Sequence, residues 1–231
     1  MRKNFLIAVV VIVVLVLFSI KATAGTEVEK KAEMKSQDFS VWLIPSRKDG
    51  IHQTFTGCIV SFLADRKDAF EPHITLYWGK SSDLKLDNIK DTVSKIASGS
   101  KPVILTVNGI GITRERFKSL FLTFGKYPRL YEWSDILGKT SGVIKTGYIL
   151  QPHMSLYYSP EGVETPAREK ALMMRTIMDK HPEWFAKDLG KGEFVKGYEV
   201  EFDRIQVRIE YDENRIDKWE KLCEFTLTGN N

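Results

Sequence analysis

The sequence predicts an α+β fold built on antiparallel sheet, and three observations carry that expectation. Short runs around 38–44, 70–78, 103–110, 118–124, 148–158, 198–209 and 219–227 are rich in β-branched and aromatic residues with a two-residue period, as in strands. Between them, apolar residues at 51–64, 86–97, 127–137 and 166–180 recur every three or four positions, the helical period. Finally, one strand is written twice. Pro72-His73-Ile74-Thr75-Leu76-Tyr77-Trp78 returns 80 residues later as Pro152-His153-Met154-Ser155-Leu156-Tyr157-Tyr158.

In chain order, the first element is a leader. Arg2 and Lys3 precede an apolar run over residues 5–20, and Ala22-Thr23-Ala24 supplies a small-residue cleavage signal. A signal peptide over 1–24, cleaved after Ala24, is expected; the alternative is an uncleaved membrane anchor formed by residues 5–20. The run's 16 residues fall short of the roughly 20 a spanning helix needs. Export to the periplasm or the exterior is expected in either case. The whole chain has 34 basic and 30 acidic residues. Without Arg2, Lys3 and Lys21 of the leader, 31 basic residues face 30 acidic ones, a net +1. So neutral a protein lacks the field that holds a long phosphate backbone. No long nucleic acid is therefore expected as partner, and no membrane unless the leader is retained. Residues 25–37 are charged, with few apolar residues, and read as a flexible tether. Residues 38–229 form the expected domain, read as a monomer.

Within that domain, 38–44 is a buried strand ended by Pro45. Phe55, Cys58, Ile59 and Phe62 fall at helical spacing over 51–64. Residues 70–78 are the first His strand. Leu86, Ile89, Val93 and Ile96 make one face of a helix with Asp87 in its first turn and Gly99 after it. Strands 103–110 and 118–124 form a hairpin with a basic tip at 111–116. A helix over 127–137 stops at Gly138, and 148–158 is the second His strand. Pro166 opens a helix that His181-Pro182 ends. Tyr198, Val200 and Phe202 then alternate on even positions, and Ile205, Val207 and Ile209 on odd ones. That slip of phase predicts a bulge or break near Asp203-Arg204. A last strand covers 219–227. Two cysteines, Cys58 and Cys223, either pair as a disulfide or remain separate thiols.

Alternation puts His73, Thr75 and Tyr77 on one face, and His153, Ser155 and Tyr157 likewise. Trp78, on the opposite parity, is expected in the core. A single His-x-hydroxyl match is weak, since His52-Gln53-Thr54 also fits it at a helix start. Two copies in the same Pro-His-apolar-hydroxyl-Leu-Tyr context are far more specific. An imidazole titrates near pH 6.5, so one ring can accept a proton while a second donates one. In-line displacement at phosphorus needs such a pair, together with donors such as the Thr75 and Ser155 hydroxyls for the non-bridging oxygens.

These paired motifs resemble those of the two-histidine (2H) phosphoesterase superfamily. Ser40-Val41-Trp42-Leu43-Ile44-Pro45, Phe117-Lys118-Ser119-Leu120-Phe121-Leu122 and the strand at 219–227 resemble strands of its cyclic phosphodiesterase-like branch. The resemblance spans 39–227. It implies a bilobal, pseudo-twofold α+β fold, with two antiparallel sheets and outer helices around a central cleft. It implies hydrolysis of a 2′,3′-cyclic nucleotide or ADP-ribose cyclic phosphate to a phosphomonoester, with no metal and no cofactor. On this resemblance His73 and His153 are catalytic, with His153 as base and His73 as acid, while Thr75, Ser155 and Tyr158 bind substrate. Strand parity by itself favours Tyr157 over Tyr158. Plant members of the family are mostly intracellular, so the export leader is a departure that bears on the physiological substrate. The alternatives are a 2′–5′ oligonucleotide phosphodiesterase and an exported module that binds nucleotides or RNA ends without turnover.

Other residues have simpler readings. Arg114, Arg116 and Lys118 either meet a phosphate or form a solvated charged turn. His181 caps a helix. Glu71 lacks the ligand spacing of a metal site.

Overall fold

The computed structural model describes residues 36–48, 50–62, 70–82, 85–144, 146–159, 167–172, 176, 197–211 and 218–229. The expected leader, the tether up to residue 35, and His181 lie outside the described residues. The helix expected at 166–180 is described, as helix, at 167–172 and at 176. The described elements are β1 (Ser36–Pro45), α1 (Ile51–Phe62), β2 (Ile74–Ser82), α2 (Leu86–Ser98) and β3 (Val103–Ile112), then a 3-10 turn (Arg116–Lys118) and β4 (Leu120–Phe124). After these come α3 (Pro128–Lys139), β5 (Val143–Ile144), β6 (His153–Tyr157), β7 (Glu199–Glu210) and β8 (Trp219–Thr226). β1 begins two residues inside the stretch read as tether, and the short β5 has no counterpart among the sequence expectations.

The strands lie in the order β1-β2-β6-β4-β3-β7-β8, with β5 on β2 and a further pairing of β1 with β7. Six strands thus close a ring of antiparallel pairings, and β8 extends outward from β7. The α+β class and the antiparallel pairing match the sequence expectation; the expected pair of sheets is corrected to one. Two stitches join what would otherwise be halves. Ile74 bridges Met154 between β2 and β6, and Val103 to Thr106 pair with Phe202 to Glu199 between β3 and β7. At 12 residues, β7 is long enough to give one edge to β1 and to divide the other between β3 and β8. Periodicity reports which side of a strand is buried, not which strand lies beside it.

One apolar core backs the sheet. Phe39, Val41 and Leu43 of β1 enter it beside Ile89 and Val93 of α2, and Leu130, Trp133 and Leu137 of α3. α2 shows how the sequence sets this up. Its apolar residues lie three and four apart, so Ile89, Val93, Ile96 and Ala97 are all buried on one stripe. Each large aliphatic side chain so removed from water contributes roughly 1.5–3 kcal/mol. Gly99 then ends the helix, donating its N–H to the Lys95 carbonyl at 3.1 Å. Cys58 and Cys223 are both free thiols.

Three bulges matter to the site. Ile44 pairs with Arg204 but Pro45 with Phe202, so Asp203 is the extra residue where the apolar phase slips. Val41 pairs with Tyr77 but Trp42 with Thr75, leaving Leu76 extra in β2. Leu120 pairs with Tyr157 but Phe121 with Ser155, leaving Leu156 extra in β6. The last two are the same position of the duplicated motif.

Candidate active site

β2 and β6 are neighbours, and the residues that bridge them, Ile74 and Met154, are again equivalent in the two copies. An antiparallel pair has a local twofold between its bridging residues, so this dyad superposes one motif on the other. Extending the register by one residue sets His73 across from Ser155 and Thr75 across from His153.

The paired bulges decide which aromatic residues join them. A bulge turns the following side chains to the opposite face. Beyond Leu76, Tyr77 enters the core and Trp78 lines the cleft; beyond Leu156, Tyr157 and Tyr158 are both buried in the core, and of the two it is Tyr158 that also lines the cleft. The expected core position of Trp78 is thereby corrected, and Tyr158 replaces Tyr157 at the cleft for the same reason. Tyr158 stacks on Phe70 at 3.9 Å between centroids and meets the Phe117 ring edge-on at 5.4 Å.

Each histidine is held in the same way. Nδ1 of His73 lies 2.6 Å from the Glu71 carbonyl, and Nδ1 of His153 lies 2.6 Å from the Gln151 carbonyl. A carbonyl only accepts, so Nδ1 carries the proton and Nε2 keeps the lone pair in the neutral ring. The His73 ring stacks on Trp42, 3.5 Å apart and nearly parallel, and Phe70 meets it edge-on. The His153 ring meets Phe121 at 5.4 Å. Each supporting ring also carries a cation, with the Arg208 guanidinium 4.4 Å from the Trp42 centroid and Lys118 Nζ 5.1 Å from that of Phe121.

This environment disfavours the imidazolium. Burial pushes His73 down to about 3, Arg208 and His153 add to the fall, and the Glu71 carbonyl bond and carboxylate oppose it. Burial likewise lowers His153; the Gln151 carbonyl and Glu115 oppose the fall and Lys118 adds to it. In the free protein both rings are therefore neutral at pH 7.

The two motifs open on a cavity of about 360 Å³ lined by His73, Thr75, His153, Ser155 and Tyr158, so every expected site residue comes to one place. The Ser155 hydroxyl donates to the Phe117 carbonyl at 2.9 Å. The Tyr148 hydroxyl donates to the Thr75 carbonyl at 2.8 Å, tying the approach to β6 onto β2. The 3-10 turn at the hairpin tip brings Arg116, Phe117 and Lys118 into the wall. Of the three tip cations, Arg116 and Lys118 thus face the cleft, and Lys118 donates to Gln151 Oε1. Trp42, Trp78, Phe117, Tyr148 and Trp219 make the walls strongly aromatic. Sequence reasoning gave Trp42, Tyr148 and Trp219 no site role, because nothing in their spacing separates them from core aromatics.

A charged network lies behind His73. The Glu71 carboxylate receives Arg47 at 2.9 Å, His52 Nε2 at 3.0 Å, Gln206 at 2.8 Å and Arg208 at 3.1 Å. Burial would raise Glu71, but His52, Gln206 and Arg47 bonds and the Arg208 charge hold its carboxyl well below the usual carboxylate range. The third His-x-Thr thus has an outer role: His52 braces the residue whose carbonyl holds His73. Glu71 is committed to ion pairs, and among the described residues no group of three or more His, Cys, Asp or Glu is placed to hold a metal ion.

Comparison with known proteins agrees with this architecture. Residues 37–227 match the family model described as cyclic phosphodiesterase-like protein. Among solved structures, LigT of E. coli in complex with 3′-AMP superposes with a TM-score of 0.52 at 14% identity, covering 84% of this chain and 99% of that one. The same protein has also been crystallised with NADP+ and with ATP. TT0787 of Thermus thermophilus superposes with a TM-score of 0.50 at 10% identity, covering 84% of this chain and all of that one. Among curated proteins, none matches the chain significantly. The likeness to these solved structures is one of fold, and the match to the family model extends over nearly all of the described sheet. The chain belongs to the cyclic phosphodiesterase-like family.

Proposed function

We propose that this protein is a two-histidine hydrolase that opens a cyclic phosphate, of a 2′,3′-cyclic nucleotide or of ADP-ribose, to a phosphomonoester. The observation that carries the reading is the twofold pairing of the His-x-hydroxyl strands around one cavity, each ring with Nδ1 tied to a carbonyl. Nε2 of one imidazole takes a proton from water as the water oxygen forms its bond to phosphorus. Nε2–H of the other gives a proton to the ribose oxygen as its bond to phosphorus breaks. Following the family resemblance, His153 is the base and His73 the acid. The Thr75 and Ser155 hydroxyls meet the non-bridging oxygens, and Ser155 turns from the Phe117 carbonyl to do so. Because burial holds His73 neutral in the free protein, it takes up its proton from solvent as the substrate binds, the negative charge of the phosphodiester favouring the imidazolium. Each proton transfer contributes about 10²–10⁴ in rate. The aromatic walls suit a nucleoside, and the nucleotide complexes of E. coli LigT support a ligand of that class. We further propose that residues 1–24 direct export, which the mass of the processed N-terminus tests.

The deciding experiment is incubation with adenosine 2′,3′-cyclic phosphate in EDTA, with the product assigned by NMR as the 2′- or 3′-phosphate. Turnover that His73→Ala and His153→Ala each reduce by about 100-fold or more is expected. Full activity in either variant sinks the mechanism, and activity confined to linear 2′–5′ dinucleotides moves the substrate assignment to them.

A further inference from the structure

We infer that a second cavity, separate from the histidine cleft, is a binding site for a small neutral aromatic molecule anchored on the Tyr77 hydroxyl. The cavity, of about 400 Å³, lies between α3 and the segment that leads into β6. Tyr131, Ser134, Asp135 and Gly138 reach it from α3, at the three- and four-residue spacings that share a helix face. Tyr148 is the one described residue common to its wall and to that of the cleft. The bulge at Leu76 turns Tyr77 away from the cleft and into this second wall. Tyr77 is 6% exposed, with its ring tilted against Phe39 and edge-on to Tyr148 at 5.8 Å.

The Tyr77 hydroxyl has no hydrogen-bond partner among the described residues, and burial raises its titration with no such bond opposing. A hydroxyl taken from water without a partner forfeits free energy, so this one marks where a ligand restores a bond. It reaches the cavity wall beside Gly138, where a Cβ would lie 3.6 Å from the hydroxyl oxygen and 3.2 Å from the ring. Two other hydroxyls of the wall are already spent. Tyr148 donates to the Thr75 carbonyl and Thr146 to that of Trp78. The lining also sets the chemical class. Tyr77 and Tyr148 meet at 69°, a corner that offers a flat ring one face and one edge. Ile149 and Leu150 complete the apolar side. Among the described residues of the wall only Asp135 and Lys139 are charged, and they pair with each other, so no net charge is asked of the ligand. The volume is at the small end of ligand pockets and suits one or two fused rings.

The test titrates the full chain with indole and with indene, its isostere lacking the N–H, and follows the methyl NMR signals of Ile149 and Leu150. Saturable binding at one site is expected, with indole preferred by about 2- to 10-fold, as one hydrogen bond supplies. Tyr77→Phe removes a hydroxyl that has no partner to lose. Its unfolding transition should therefore stay in place while the preference for indole falls to one. Gly138→Ala sets a methyl against the Tyr77 ring and should weaken both probes, and alanine favours the helix, so the fold is kept. Four results each overturn the inference: no saturable shift of those methyls, equal affinity for the two probes in wild type, a preference that survives in Tyr77→Phe, or shifts confined to the His73 and His153 rings. The inference stands apart from the hydrolase reading, which the His73→Ala and His153→Ala assays decide on their own.

Discussion

Replacing Arg208 by methionine tests the electrostatics behind His73. β1 lies between β2 and β7, and the Trp42 face that stacks on the imidazole leaves no room there for a second group, so the guanidinium lies against the opposite face. Separations of 3.5 Å and 4.4 Å on either side of Trp42 put charge and imidazole about 8 Å apart. Two unit charges at that distance interact by about 0.5 kcal/mol in bulk water and about 2 kcal/mol at an effective dielectric of 20, or roughly 0.4 to 1.5 pH units. Arg208 disfavours the imidazolium, so methionine, which keeps an apolar stem over Trp42, should raise the His73 midpoint by that amount. Loss of the Arg208–Glu71 bond acts in the same direction, because the released carboxylate favours a nearby cation. The assay is a proton–carbon NMR titration of the His73 ring, with His153 as internal reference, paired with the pH dependence of kcat/KM. A His73 midpoint that stays put or falls, or a His153 midpoint that moves as far, refutes the reasoning.

Other expectations follow from the same geometry. The lowered titration of both histidines places the kcat/KM optimum below pH 6.5; substrate charge should carry the kcat optimum to higher pH, and coincident optima above pH 7 would contradict this. His73 goes from an ordinary 6.5 to about 3 on folding, and Glu71 is lowered too. Each such group contributes stability that is present above its unfolded value and lost as pH falls toward its folded one. Urea midpoints should therefore drop between pH 6.5 and 3, and by less in His73→Gln. A Cβ on Gly111 would sit 2.2 Å from the Phe121 ring, which supports His153. Gly111→Ala should cost about 1–3 kcal/mol, or roughly 2–12 °C in Tm, and reduce kcat, measured by calorimetry and turnover. Tyr157→Ala should lose about 3–5 kcal/mol as a core truncation. Tyr158→Phe should instead leave the unfolding transition in place and raise KM.

Whatever rests on local period and composition was legible in the chain before it folded. Ile89, Val93 and Ile96 announced α2, the change from even to odd apolar positions announced the Asp203 bulge, and the repeated Pro-His-apolar-hydroxyl-Leu-Tyr string announced two equivalent strands with His and hydroxyl on one face. Alternation, however, assigns faces only while the register is unbroken. The extra residues Leu76 and Leu156 show no change of pattern within their own strands; they exist because β1 and β4 pair with β2 and β6 on either side of them. Tertiary pairing therefore chose Trp78 over Tyr77 and Tyr158 over Tyr157 for the cleft. Strand partners distant in sequence likewise decided that one sheet closes through β1 and β7, and that Arg208 lies behind Trp42. They also set His52 on Glu71, and Glu210 beside Trp78. Such contacts join residues as far apart as Pro45 and Arg204, separated by 159 positions, and no local pattern encodes which partner a strand will find.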